Sequence, residues 1–155
     1  MDPTYMGNDE AGAILAVMGG FMLVFVAIMI VVAIFYLLSL SKALSLAGEN
    51  NRQMSPGLVW LNLIPIFSLG WHFYTVAKVA EAIRNKYAEA GVDDPGNGGW
   101  PLGLTVSILN VVVILPIPFI NMLVAIALLV VWIIYWVKIA GYNKAMASMA
   151  APATA

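Results

Sequence analysis

The sequence contains no cysteine, only one histidine and few charges: charged side chains make up 10% of its 155 residues. The absence of cysteine excludes disulfides, thiolate metal sites and cysteine nucleophiles. A soluble domain carries about 25% charged residues, so this chain has too few polar side chains to cover the surface of a soluble globule. Its net charge of −1 provides no basic patch, and we expect no nucleic-acid partner.

Apolar residues fill long stretches of the chain. Hydrophobic residues make up 63% of the sequence, and the mean hydropathy is +0.94. A membrane-spanning helix needs about 20 apolar residues, and three stretches without any charge reach or exceed that length. They lie between Glu10 and Lys42, between Arg52 and Lys78, and between Asp94 and Lys138. These stretches predict an all-α integral membrane protein that forms a single membrane domain in the lipid bilayer.

The first and third stretches predict three transmembrane helices. Residues 11–40 form the first helix, and because the residues before it lack the basic region of a signal peptide, we expect no cleavage there. A straight helix over the whole third stretch would be about twice as long as a bilayer core is thick. The chain therefore turns back at the proline pair that begins with Pro116, between helices at residues 101–115 and 121–142. Residues 145–155 are predicted to form a flexible tail.

The second stretch is interrupted by Pro65 and is compatible with two structures. Residues 56–77 form either a re-entrant hairpin, which enters and leaves the membrane on one side, or a kinked fourth transmembrane helix. The hairpin places all seven basic residues in the cytoplasm and the N-terminus outside, as the positive-inside rule favours. Three spans plus the hairpin are therefore preferred over four spans. Residues 78–100 then form an amphipathic helix end and a cytoplasmic loop.

Small residues repeat every four positions in the first predicted helix, at Gly12, Ala16 and Gly20. Such a ridge lets another helix approach closely, and close approach is the main source of helix association in membranes. The ridge predicts a helix-packing interface. The sequence leaves open whether the second helix comes from the same chain or from a partner.

Polar residues inside the predicted membrane segments are the other candidate functional groups. His72, the only histidine, is a candidate axial ligand for a haem iron or a chlorin magnesium, and otherwise a packed or interfacial histidine. Asn62 and Ser68 lie in the same predicted hairpin and, with His72, define a candidate polar path. The alternative for these groups is hydrogen bonding between helices.

The sequence contains no recognisable catalytic set. We find no nucleophile–base pair, phosphate-binding loop or metal-ligand spacing, and so expect no enzymatic activity and no metal or cofactor. The preferred function is that of an accessory subunit in a larger membrane complex or of a homo-oligomer. Alternatives are a small-solute or lipid transporter or channel that uses the re-entrant turn, and a pigment- or haem-associated subunit that uses His72.

One segment resembles a family. The motifs Met54-Ser55-Pro56-Gly57, Trp60-Leu61 and Ile64-Pro65-Ile66-Phe67 resemble a segment shared by small bacterial integral membrane proteins. The likeness covers less than a quarter of the chain. It implies a location in the bacterial inner (plasma) membrane and carries no activity with it.

Overall fold

The computed structural model describes residues 3–92, 96–117 and 120–150, and this part of the chain contains five helices and no strand. The helices are α1 (Pro3–Ala47), a 3-10 helix (Pro56–Leu63), α2 (Pro65–Glu89), α3 (Trp100–Val112) and α4 (Ile120–Ala150). The predicted all-α class is therefore confirmed. The helices belong to two compact units, residues 1–35 and residues 36–155.

The first unit consists of the first part of α1. Every side chain from Glu10 to Val31 is exposed, and most of them are apolar, including Phe21, Met22 and Phe25. A helix that is apolar all round is stable only when lipid or protein covers it.

Two helices, α1 and α4, are long and apolar enough to cross a membrane by length and composition. In contrast, α3 has 13 residues and is about 20 Å long, less than the roughly 30 Å of a bilayer core. The predicted third span, over residues 101–115, therefore corresponds to a helix that is apolar but short, and the count of three spans stays a prediction.

The second unit contains the core, which lies where residues 36–47 of α1 meet α2, α3 and the second half of α4. The side chains that fill it are fully or almost fully buried and almost all apolar. Its largest fully buried members are Tyr135, Leu40, Leu44, Met54, Ile83, Ile139 and Met146. The first half of α4 contributes little to this core, since its large apolar side chains, such as Leu123 and Ile126, are exposed.

The predicted break at Pro65 is present. Ile64 has an extended backbone (φ −82°, ψ 112°) between the 3-10 helix and α2, and Pro65 occupies the first turn of α2, where its missing N–H costs no hydrogen bond. The 3-10 helix contacts α2: Trp71 Nε1 donates to the Leu58 carbonyl at 2.9 Å. However, α2 continues to Glu89 without interruption, so the part of the predicted hairpin after Pro65 and the predicted amphipathic helix end belong to one helix.

The connection between α3 and α4 agrees with the predicted turn, because α3 ends at Val112 and α4 begins at Ile120. Part of that turn, Pro118 and Phe119, lies outside the described residues. At its other end α4 continues to Ala150. The first part of the predicted tail, residues 145–150, is therefore helical, and residues 151–155 lie outside the described part.

Three helices approach closely at Gly103. A Cβ atom added there would lie 2.8 Å from Cβ of Val76 on α2 and 3.1 Å from Cζ of Tyr135 on α4. The first distance is shorter than real Cβ contacts and the second is tighter than most of them, so glycine allows α3 to lie this close to both neighbours.

Candidate functional site

His72 lies at the centre of a buried hydrogen-bonded group that joins three helices. Its side chain on α2 is only 9% exposed. Nε2 lies 2.9 Å from the Tyr36 hydroxyl on α1, and Nδ1 lies 2.6 Å from Oγ of Ser107 on α3. We call Tyr36, His72 and Ser107 the histidine relay.

The partners of Ser107 determine where the protons of the histidine relay lie. Oγ of Ser107 donates to the carbonyl oxygen of Gly103 at 3.0 Å, and a carbonyl only accepts. With the single hydroxyl proton of Ser107 used in this way, Nδ1 of His72 is assigned as the donor toward Ser107. Nε2 is then the acceptor of a neutral imidazole, and the Tyr36 hydroxyl donates to it. This tautomer is assigned from the hydrogen-bond network.

Aromatic side chains of α4 surround the Tyr36 end of the relay. The Tyr36 ring lies 5.2 Å from the ring centroid of Trp132, 6.3 Å from that of Tyr135 and 6.2 Å from that of Trp136. Trp136 Nε1 also donates to Oγ of Ser39 at 2.8 Å. The Tyr36 end of the relay therefore lies among aromatic rings, and Trp136 ties α4 to α1 one turn further along.

Both ring nitrogens of His72 are occupied by side-chain partners. A haem or chlorin ligated by this residue would have to displace Tyr36 or Ser107 from one nitrogen. In addition, the described residues contain no group of three or more His, Asp or Glu side chains that could hold a metal ion. The arrangement is chemically suited to holding helices together, because each donor in the relay has an acceptor.

The other residues of the predicted polar path do not join the relay. Asn62 Nδ2 donates to the Val59 carbonyl at 2.8 Å and to Thr75 Oγ1 at 3.0 Å, so it links the 3-10 helix to α2. Ser68 is half-buried and donates to the Pro65 carbonyl at 2.7 Å within its own helix turn. No hydrogen bond in the described part of the chain connects Asn62, Ser68 and His72 to one another.

The predicted packing ridge lies in the first unit. Gly12, Ala16 and Gly20 are all exposed, and a Cβ atom added at Gly12 or at Gly20 would have nothing within 4 Å. The face of α1 that carries these residues is therefore open.

Sequence reasoning missed Tyr36 as a partner of His72. Tyr36 occurs in an uncharged run of apolar residues, where nothing distinguishes it from a lipid-facing or interfacial tyrosine. It lies 36 positions from His72, and a single sequence gives no signal for a pair so far apart. A polar residue at Ser107 was detectable, but its pairing with His72 was not.

The fold and this site define an all-helical protein with two apolar helices of membrane-spanning length and a buried histidine that ties its helices together. Comparisons with models of protein families, with curated proteins and with solved structures find no match to the chain. The function is therefore inferred from the residues of the chain itself.

Proposed function

We propose that this protein is a non-enzymatic integral membrane protein that acts by helix packing, as an accessory subunit of a larger membrane complex or as a homo-oligomer. The observation that carries the proposal is the exposure of α1 from Glu10 to Val31. An apolar helix of this length has lipid or another membrane helix as its natural surroundings.

The open ridge on α1 makes helix association the favoured use of this segment. Lipid tails are as apolar as leucine side chains, so membrane helices associate through close packing and not through the hydrophobic effect. Gly12, Ala16 and Gly20 provide a flat surface for that packing, and an added Cβ at either glycine meets no other group. The ridge is therefore available to a helix of another subunit or of a second copy.

The membrane position of the second unit is part of the proposal and rests on a ladder of side chains along α2. The rings of Phe67 and Trp71 lie 5.2 Å apart, and those of Trp71 and Tyr74 lie 4.9 Å apart. Lys78 Nζ follows, 6.0 Å from the Tyr74 ring centroid. Along α2 the side chains thus change from the apolar ring of Phe67, through the amphipathic rings of Trp71 and Tyr74, to the cation of Lys78. Side chains follow the same order across a membrane interface.

This ladder supports a re-entrant arrangement around Pro65. Ile66, next to the break, is 86% exposed and lies about 12 Å along the helix axis from Tyr74. With Tyr74 at the interface, the start of α2 penetrates less than half of a roughly 30 Å bilayer core. The basic residues then lie on the cytoplasmic side of a bacterial inner membrane, with the N-terminus outside.

The test of the function compares two triple variants of α1. Gly12→Leu, Ala16→Leu and Gly20→Leu together fill the ridge. Ile14→Leu, Met18→Leu and Met22→Leu together change three exposed side chains on the opposite face and serve as the control. The masses of gently extracted complexes are measured by native mass spectrometry.

We expect the ridge variant to lose its partners and the control to keep them. Additional polypeptides in the wild-type complex identify an accessory subunit, and a whole multiple of the chain mass identifies a homo-oligomer. A ridge variant that assembles like the control contradicts the proposal.

A further inference from the structure

The described residues of the second unit carry more positive than negative charge. They contain all seven basic residues of the chain but only three carboxylates. Each carboxylate is paired with a neighbouring cation: Glu49 with Arg52 at 3.1 Å, Glu81 with Lys78 at 2.8 Å, and Glu89 with Lys86 at 2.8 Å. Four cations have no ion pair within the described ranges, and these are Lys42, Arg84, Lys138 and Lys144. We call them the unpaired cations.

Two of the unpaired cations lie where α1 meets α4. Asn143 Nδ2 donates to the Ser39 carbonyl at 2.9 Å, which holds the last turns of α1 against α4. Lys42 is three residues after Ser39, and Lys144 follows Asn143 directly. Both lysines are exposed.

The other two unpaired cations lie where α4 meets α2. The rings of Tyr142 and Tyr87 are 6.2 Å apart and nearly perpendicular, and Lys138 Nζ lies 5.9 Å from the Tyr142 ring centroid. Arg84 is exposed and lies three residues before Tyr87 on α2. The unpaired cations thus come from three helix segments that meet in the part of the core around Tyr142.

Two of the unpaired cations, Lys138 and Lys144, follow an apolar segment of membrane-spanning length. Along α4, Lys138 is the first charged residue after a stretch that begins at Ile120 and whose large side chains are mostly exposed. In a bilayer that spans this stretch, Lys138 and Lys144 lie at or just beyond the headgroup level. Clusters of lysine and arginine next to a membrane span attract anionic lipids.

We propose that the unpaired cations bind the headgroups of anionic phospholipids around the second unit. Ammonium and guanidinium groups form charge-assisted hydrogen bonds with phosphate oxygens, and no carboxylate in the described second unit is left over to neutralise these four residues. The proposal shares membrane insertion with the proposed function but does not depend on association through α1.

The experiment measures lipid preference in the full-length chain. The protein is reconstituted in bilayers of equal parts phosphatidylglycerol and phosphatidylcholine, and the lipids retained after gentle extraction are counted by native mass spectrometry. One double variant, Lys42→Gln with Lys144→Gln, removes two unpaired cations. The matched control, Arg52→Gln with Lys86→Gln, removes the same net charge from cations that already have carboxylate partners.

We expect the wild-type chain to prefer phosphatidylglycerol. The loss of each unpaired cation should lower this preference about fivefold at low salt. The control double variant retains most of the preference. Equal losses in both variants would overturn the proposal, because net charge alone would then explain the effect. A wild-type chain that shows no preference for phosphatidylglycerol would also overturn the proposal. So would a chain that retains an acidic polypeptide in place of the lipid.

Two further measurements distinguish this proposal from misfolding of the variants and from the proposed function. Thermal unfolding in a neutral detergent shows whether each double variant is folded. The Leu variant of the α1 ridge loses assembly if the proposed function holds, yet keeps its preference for phosphatidylglycerol. Failure of one proposal is thus visible without failure of the other.

Discussion

The hydroxyl of Tyr36 lies within hydrogen-bond distance of Nε2 of His72, at 2.9 Å, and so ties the end of α1 to the middle of α2. Nδ1 of the same ring extends the connection to Ser107 on α3. One neutral imidazole therefore joins three helices. In a chain without cysteine and with three ion pairs among its described residues, such a group is an effective way to select one arrangement of apolar helices, because an unmade hydrogen bond in an apolar interior is costly.

Tyr36→Phe is expected to destabilise the second unit by about 1–3 kcal/mol, because it leaves the acceptor Nε2 of His72 buried without a donor. Tyr74→Phe is the control, since Tyr74 is exposed and contributes its ring, which phenylalanine retains. Reversible unfolding in mixed detergent measures both. Equal stability of the two variants would contradict the role given to Tyr36.

The proton positions in the relay are open to direct measurement. The chain has only one histidine, so a ¹⁵N spectrum of labelled protein reports on His72 without ambiguity. We expect a neutral ring with its proton on Nδ1, because Ser107 already donates its proton to Gly103. A proton on Nε2 would show that the relay runs in the opposite direction. Ser107→Ala should move the resonance, while Thr105→Ala, on an exposed site of the same helix, should not.

Gly103→Ala is expected to destabilise the protein by about 1–3 kcal/mol through overpacking. The added methyl group would lie 2.8 Å from Cβ of Val76, an atom that no rotamer change can move away. Gly141→Ala is the matched control, because a Cβ there has nothing within 4 Å and alanine favours the helix by roughly 0.5–1 kcal/mol. An equal loss of stability in both variants would contradict the close packing of α2, α3 and α4 at Gly103.

Acid should remove a small stabilising contribution of Glu89. Hydrogen bonds from Lys86 and Asn51 to its carboxylate, together with the charge of Lys86, lower the pKa of Glu89 below its ordinary value of 4.5. A carboxyl whose pKa is lowered by folding stabilises the native state above its unfolded pKa, and this contribution is lost as the pH falls through the folded pKa.

Unfolding midpoints measured from neutral pH to below pH 4.5 test this expectation. The wild-type protein should lose more stability over that range than Glu89→Gln, and Asn51→Ala, which lacks one of the donors, should fall between the two. Parallel curves for the wild-type chain and Glu89→Gln would show that the pairing does not stabilise the fold.

The main helix breaks were predictable because proline acts locally. Pro65 lacks the N–H that a helix interior requires, so α2 begins there in the structure as predicted. Residues 78–89 were expected to form the amphipathic end of a helix, and in the structure they are the last part of α2, which ends at Glu89. The burial of Val79, Ile83 and Tyr87 in the core was not predictable in the same way, because it depends on the neighbouring helices.

The sequence by itself determined the helical class and the two long apolar helices, since apolar runs of this length with few breaks satisfy their backbone hydrogen bonds internally as helices. It also determined where the chain is interrupted by proline. Only the tertiary structure decided what His72 does. Tyr36 and Ser107 lie 36 and 35 positions away from His72, and the hydrogen bonds exist because helix packing around Gly103 brings distant positions to the same point. Such contacts depend on the shape of several helices at once, which no local pattern encodes.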